Sequence, residues 1–184
     1  MSSSTRQLLT ELRDDHRNMS RVLDVLEGAI DSARSGNDPD MVLIDEIMRY
    51  MTVYPDAVHH PKEDVVYAAL KSSRPDLADG LDDVPADHRE IAALGAQLRD
   101  DVDAIIAGAA VRRDRFIDDA SQYASRLRNH MHWEEQDLFR RVDNMLAGES
   151  PAVDIAPFEH IRDPVFELEI EAAYARLADS LKSA

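Results

Sequence analysis

The sequence predicts an all-α protein: an antiparallel, up-down-up-down four-helix bundle with an additional C-terminal helix. Three observations predict it. Aromatic residues make up only 5% of the chain and glycines number 6, while Ala, Leu, Arg, Asp and Glu dominate. That mixture suits helices better than sheets. Gly and Pro punctuate the chain around Gly36 and Pro39, Pro75 and Gly80, Gly108, and Gly148 and Pro151. The segments between these breaks carry apolar residues every three or four positions, the mark of one buried helical face.

The elements follow in order. A first helix is expected over 5–35, with the stripe Leu9, Leu12, His16, Met19, Leu23, Leu26 and Ile30. A second is expected over 40–71, where Ile44, Met48, Met51, Pro55, His59, Glu63, Val66 and Leu70 keep one face. Pro55 and Pro61 each remove a backbone donor, which predicts a kink or a restart at 55–61. A third covers 84–107, with Val84, His88, Ile91, Gly95, Leu98 and Val102 in line. A fourth covers 113–147, with Phe116, Ala120, Tyr123, Leu127, His130, Glu134, Leu138 and Val142. Asp163 and Pro164 form a good N-cap and first-turn pair for a fifth helix over 164–182. Its stripe of Phe166, Ile170, Tyr174, Leu177 and Leu181 fits docking on the bundle or on a second copy of the chain. Short connections favour antiparallel neighbours.

The chain has 184 residues, enough for one domain with a continuous core. The division expected is a main domain over 1–148 and a helical extension over 149–184. No stretch approaches the ~20 apolar residues of a membrane span. Met1 to Arg6 lack the apolar core of a secretory signal. The absence of cysteine excludes disulfides and thiolate ligands, and suits a reducing compartment. A cytoplasmic protein is expected. The net charge of -16 predicts repulsion from nucleic acid and anionic membrane, so neither is an expected partner.

Polar residues interrupt the apolar stripes, and these carry the chemistry. His16, His59, His88 and His130 fall one on each helix, on the inward face. Glu63 and Glu134 follow His59 and His130 by four residues, so each pair lies on one side of its helix. Burying these groups in an apolar core is costly unless something pairs them. A metal does so, and imidazole with carboxylate suits iron, manganese or zinc. Each residue alone has a plainer reading, as a hydrogen-bonded core histidine or a chance spacing in an acidic helix. Only the joint pattern argues for metal. Four histidines and two glutamates suit two ions of higher coordination than tetrahedral zinc. His60 and His132 lie about 100 and 200 degrees around their helices from that face and are read as surface or outer groups. His160 has no visible role. Asp64, Glu135 and Asp137 are spare carboxylates, and a second register, His60 with Asp64 and His132 with Asp137, leaves the stripes. Tyr54, Tyr67 and Tyr123 are candidates for the pocket; a hydroxyl there serves either a group at the metals or a core carbonyl.

Asp15-His16-Arg17, Val58-His59-His60-Pro61-Lys62-Glu63-Asp64, Asp87-His88-Arg89-Glu90 and the run from His130 to Phe139 together resemble the bacterial hemerythrin-like, or HHE cation-binding, family. The likeness covers about 8–147. It implies a non-haem di-iron centre in a helical bundle, two iron ions with an oxo or hydroxo bridge, and His16, His59, Glu63, His88, His130 and Glu134 as ligands. Two departures separate this chain from the oxygen-carrying hemerythrins. Their third helix has a second histidine four residues on, where this chain has Ala92, and their last helix ends in a longer His-to-Asp spacing. Glu135 occupies that longer spacing, which leaves Glu134 and Glu135 as alternatives. The resemblance implies a small partner: oxygen, peroxide or nitric oxide, for binding, sensing or detoxification. Catalase-like turnover of peroxide, iron sensing or storage, and a purely structural metal are the alternatives. A monomer, or a homodimer through the C-terminal helix, is expected.

Overall fold

The computed structural model describes residues 4–148, 151–158, 162–167 and 170–183. Among them the regular structure is entirely helical. The helices are α1 (Ser4–Arg34), α2 (Met41–Tyr54), α3 (His60–Ser73), α4 (Val84–Ile106), α5 (Arg113–Trp133), α6 (Phe139–Gly148) and α7 (Ala175–Ser183). α1 packs against α3, α5 and α7, α2 against α4 and α7, α3 against α6, and α4 against α5. No helix among the described residues is long and apolar enough to cross a membrane.

Sequence expectation and structure agree closely at the first four helical segments. α1 ends where Gly36 takes a φ of 92°, a conformation that glycine reaches without strain. α2 begins at Asp40, whose carboxylate accepts the N–H groups of Val42 and Leu43, both at 3.1 Å. The kink expected at 55–61 is a widened turn rather than a break. Pro55–His59 form a π-helical turn that joins α2 to α3. Pro55 has no N–H to offer the Met51 carbonyl one turn back, and the Tyr123 hydroxyl of α5 donates to that carbonyl instead, at 3.4 Å. The His60 N–H then reaches five residues back to the Pro55 carbonyl. A second π turn, Glu134–Leu138, joins α5 to α6 with no proline to cause it. Single π turns inside α-helices recur at functional sites.

The C-terminal segment departs from its expected helix over 164–182. Asp163 does accept the N–H groups of Val165 and Phe166. The chain turns there instead of coiling, and the helix forms only over Ala175–Ser183, after a 3-10 turn at Ala172–Tyr174. Tertiary contacts override the local signal: Tyr50 donates its hydroxyl proton to Asp163 at 2.9 Å, and Val165 is buried in the core. α7 docks on its own chain, burying Tyr174, Leu177 and Leu181. Glu46 accepts the Leu177 N–H at 2.9 Å, and Arg176 pairs with Asp40. His160 lies outside the described residues.

The interior is divided. One apolar cluster contains Met19, Leu23, Leu26, Ile44, Met48, Leu98 and Leu127. The other contains Leu8, Leu12, Val66, Leu70, Val84, Leu138 and Val142. On α1, α3 and the α5–α6 rod, the chain passes from one cluster to the other at His16, at His59 to Glu63, and at His130 to Glu134. These polar residues form a belt across the middle of an otherwise apolar core.

Candidate metal centre

All six stripe residues meet in this belt. His16, His59, Glu63, His130 and Glu134 are buried, and His88 is partly so. His16 Nε2 and His59 Nε2 lie 3.1 Å apart, and so do His88 Nε2 and His130 Nε2. Each helical His-Glu pair is closed as well: His59 Nε2 to Glu63 Oε1 is 3.2 Å, and His130 Nε2 to Glu134 Oε2 is 3.3 Å. The carboxylates then cross over. Glu134 Oε2 lies 3.4 Å from His16 Nε2, and Glu63 Oε2 lies 3.4 Å from His88 Nε2. The result is two half-sites that trade glutamates. His16, His59, Glu63 and Glu134 offer ligand atoms within 4.8 Å of one another, and so do His88, His130 and Glu134.

The orientation of the rings tests whether a cation fits. The outward nitrogen of His59, Nδ1, lies 3.3 Å from Asp15 Oδ2, and that of His16 lies 3.2 Å from Glu135 Oε1. A carboxylate can only accept, so Nδ1 carries the proton in each neutral ring. In those neutral tautomers both Nε2 lone pairs face each other across 3.1 Å, which is repulsive unless a proton or a metal cation lies between them. Two ligands about 2.1 Å from one ion and at right angles to it stand about 3 Å apart. Glu63 Oε2 and Glu134 Oε2 are also buried with no hydrogen-bond partner. Unsatisfied buried carboxylate oxygens are costly, and they point to a missing positive charge. The donor set fits hard or borderline divalent metals.

Outer residues hold these side chains in place. Asp15 is buried and also accepts from the Tyr54 hydroxyl at 2.9 Å. The Lys62 ammonium sits 3.4 Å from Asp15 and 3.3 Å from Glu11. Burial pushes Asp15 up, but His59, Lys62 and Tyr54 outweigh it and hold the carboxyl below its usual range. Asp87 approaches His130 Nδ1 at 3.5 Å. Thus the aspartate before His16 serves the His59 ring on α3's entry, and the aspartate before His88 faces the His130 ring on α5. Tyr67 spans the two glutamates, donating to Glu134 Oε1 at 3.0 Å and lying 3.5 Å from Glu63 Oε1. Burial pulls His59 down, but Glu63 and Asp15 outweigh it and carry the metal-free ring up to about 10.

Several other residues find their places. Glu134 turns into the belt. Glu135 turns outward onto His16 Nδ1 and stands 3.6 Å from Arg13. His132 and Asp64 are exposed, and Asp137 pairs with Arg141, so the second register gathers no site. Tyr54 and Tyr67 serve carboxylates, whereas Tyr123 serves the Met51 carbonyl. Of the two readings given for His60, surface or outer group, the second describes it: its ring is half-buried and stacks on His88 with centroids 3.8 Å apart. Asp15, Lys62 and Asp87 carry roles that the stripe argument missed. The available signal was the repeated Asp-His pair at Asp15-His16 and Asp87-His88.

A small cavity opens on the same belt. Met19, Met51, Ile91, Ala92, Gly95, Tyr123, Leu127 and His130 are among its walls. Its volume is about 30 Å³, room for on the order of two water-sized molecules. Gly95 keeps its wall thin, because a Cβ there would stand 3.1 Å from both Thr52 and Tyr123.

No match was found among curated proteins or solved structures. The hemerythrin HHE cation-binding domain profile, however, matches residues 7–142, a span that begins in α1, ends in α6 and encloses every belt residue. On that match, and with a cation-shaped belt where the family name requires one, the chain belongs to the hemerythrin HHE cation-binding family.

Proposed function

We propose that the belt holds two iron ions and that the protein engages a small oxygen-derived ligand, either oxygen, peroxide or nitric oxide. His16, His59, Glu63 and Glu134 are the ligands of one ion, and His88 and His130, with the same two glutamates, those of the other. The bundle that carries them is read as antiparallel, up-down-up-down, over residues 1–148, with 149–184 as an extension folded back on it. The docking of α7 on its own chain supports a monomer. The acidic, cysteine-free composition supports a place in the reducing cytoplasm.

The observation that carries this reading is the set of facing Nε2 atoms beside two unpartnered carboxylate oxygens. Two adjacent half-sites, each with a facing pair of histidines, favour two ions over one. Iron would supply a redox-active Lewis acid with positions open to a small ligand. The chain's own contribution is to fix the tautomers of His16 and His59, share the two glutamates and keep a small cavity beside them. At about 30 Å³, that cavity has room for a ligand of two heavy atoms.

The test is metal analysis of purified protein after anaerobic iron loading, with optical spectra before and after oxygen, peroxide and nitric oxide. About two irons per chain and a ligand-dependent spectral change are expected. One tightly bound ion, or none, overturns the dinuclear reading. Gas evolution from peroxide would place the protein among peroxide-decomposing enzymes rather than binders.

A further inference from the structure

We propose that Tyr50 is a redox-active tyrosine, an internal electron donor to the belt, with Asp163 as the acceptor of its proton. The inference rests on the di-iron reading above and takes peroxide as the oxidant. A phenol holds its proton at neutral pH, so losing an electron requires a base on the hydroxyl as well as a path to the oxidant. Tyr50 has both. Its hydroxyl lies 2.9 Å from Asp163 Oδ2, within range for direct proton transfer. Its side chain is fully buried, which keeps a radical there from solvent. The ring stacks on that of Tyr54, with centroids 5.4 Å apart and planes 8 degrees from parallel. The Tyr54 hydroxyl donates to Asp15 Oδ1 at 2.9 Å, and Asp15 Oδ2 lies 3.3 Å from His59 Nδ1. One ring stack and two hydrogen bonds thus lead from Tyr50 to a belt histidine.

The acceptor separates Tyr50 from the other tyrosines around the belt. Tyr123 donates to the Met51 carbonyl, which is no base. Tyr67 donates to Glu134, a carboxylate that the metals claim. Asp15, the acceptor of Tyr54, is pushed up by burial but held low overall by His59 and Lys62. Asp163 is also pushed up by burial, and its hydrogen bonds do not undo the shift, so it takes a proton more readily. It lines a cavity of about 450 Å³ with Glu11, Asp14 and Lys62, through which that proton can leave. The electrons balance as follows. Hydrogen peroxide needs two electrons and two protons to become two waters. Two ferrous ions supply both electrons themselves. When one ion is already ferric, the remaining ferrous ion gives one electron and Tyr50 gives the other, through Tyr54. Tyr50 becomes a neutral phenoxyl radical, its proton moves to Asp163, and solvent delivers the two protons of the waters. Peroxide given a single electron would instead break to hydroxide and a hydroxyl radical.

The alternative is that Tyr50 only tethers the C-terminal segment through Asp163. The test is EPR spectroscopy of the full iron-loaded chain, half-reduced and frozen directly after mixing with hydrogen peroxide. Wild-type protein should show a tyrosyl radical. Tyr50→Phe should lose that signal, and Tyr67→Phe and Tyr123→Phe should keep it. Because Tyr50→Phe also cuts the tether, a second protein carries a ring-difluorinated tyrosine at position 50, which keeps the hydroxyl. Fluorine splitting of the radical signal is then expected, and it decides alone should Tyr50→Phe fail to fold. Two bound irons with no radical, a signal that survives Tyr50→Phe, or a signal unsplit by the fluorinated ring would overturn the inference and leave the dinuclear centre standing. Fewer than two irons per wild-type chain would overturn the dinuclear reading itself, and this inference with it.

Discussion

Asp15 and His59 belong to different helices, yet the Asp15 carboxylate accepts the Nδ1–H of His59 at 3.3 Å while its chain neighbour His16 faces the same ring from the other side. One dipeptide thus supplies a candidate ligand and the group that aims another. Asp15→Asn should keep the shape but weaken the hold on the Nδ1–H tautomer. The expected outcome is a loss of about 10- to 100-fold in metal affinity, measured by competition with a chelator. An unchanged affinity would mean that the belt orients His59 without Asp15. Asp15→Ala should also destabilise the fold, because buried Lys62 then keeps only Glu11.

Metal and proton compete for the same rings. Metal-free His59 is held up to about 10, above the 6.5 of an unperturbed histidine. A raised folded value means that its stabilising protonation is fully present below pH 6.5 and is lost as pH rises through about 10. The apo protein should therefore lose this contribution between those limits. Metal must displace that proton, so binding should release protons and weaken as pH falls. Melting temperatures of apo and iron-loaded protein, measured from pH 6 to 10, should diverge as pH rises, because metal stabilises the fold by mass action. Equal melting temperatures throughout would argue against a metal in the core.

Tyr123 tests the opposite expectation, that an aromatic beside the belt is structural. Its hydroxyl replaces the donor that Pro55 denies to Met51. Tyr123→Phe should cost about 0.5–1.5 kcal/mol in chemical denaturation, the net worth of one hydrogen bond. Iron content should stay the same. A large loss of iron with no loss of stability would instead place this hydroxyl in the metal chemistry.

The parts of this protein that were legible in its sequence are those governed by one helix at a time. His16, His59, Glu63, His88, His130 and Glu134 stand on stripes whose spacing reports a face directly, and the structure brings them to one belt. His60 stacks on His88 from beside that face, the outer position that the angular argument allowed, although the turn there is not regular. Pro55 announced a disturbance there but not its form, since whether a helix breaks or widens depends on a donor such as Tyr123 from another helix. Asp15 and Asp87 act across helix pairs, which periodicity along a single helix does not encode. The tail failed for a similar reason: Asp163 has the chemistry of a helix cap, and its bond to Tyr50 with the burial of Val165 drew the segment into a turn.

The last prediction concerns access to the cavity. Ala92 is exposed at its rim, one turn after His88, while Ile91 and Gly95 line it from within. A larger side chain at 92 has room outside the core, unlike one at Gly95, where Thr52 and Tyr123 stand in the way. Ala92→Phe should therefore leave stability within about 0.5 kcal/mol and iron content unchanged. It should narrow the mouth of the cavity and slow the association of nitric oxide, followed by stopped-flow absorbance of the reduced, iron-loaded protein. Affinity should change less than rate, because the blocked path serves entry and exit alike. If Ala92→Phe binds nitric oxide as fast as the parent chain, small ligands reach the belt by another route. The open groove between α1 and α5, where Arg17, Asn129 and His132 line the approach to His16, is then the path to examine with the same measurement.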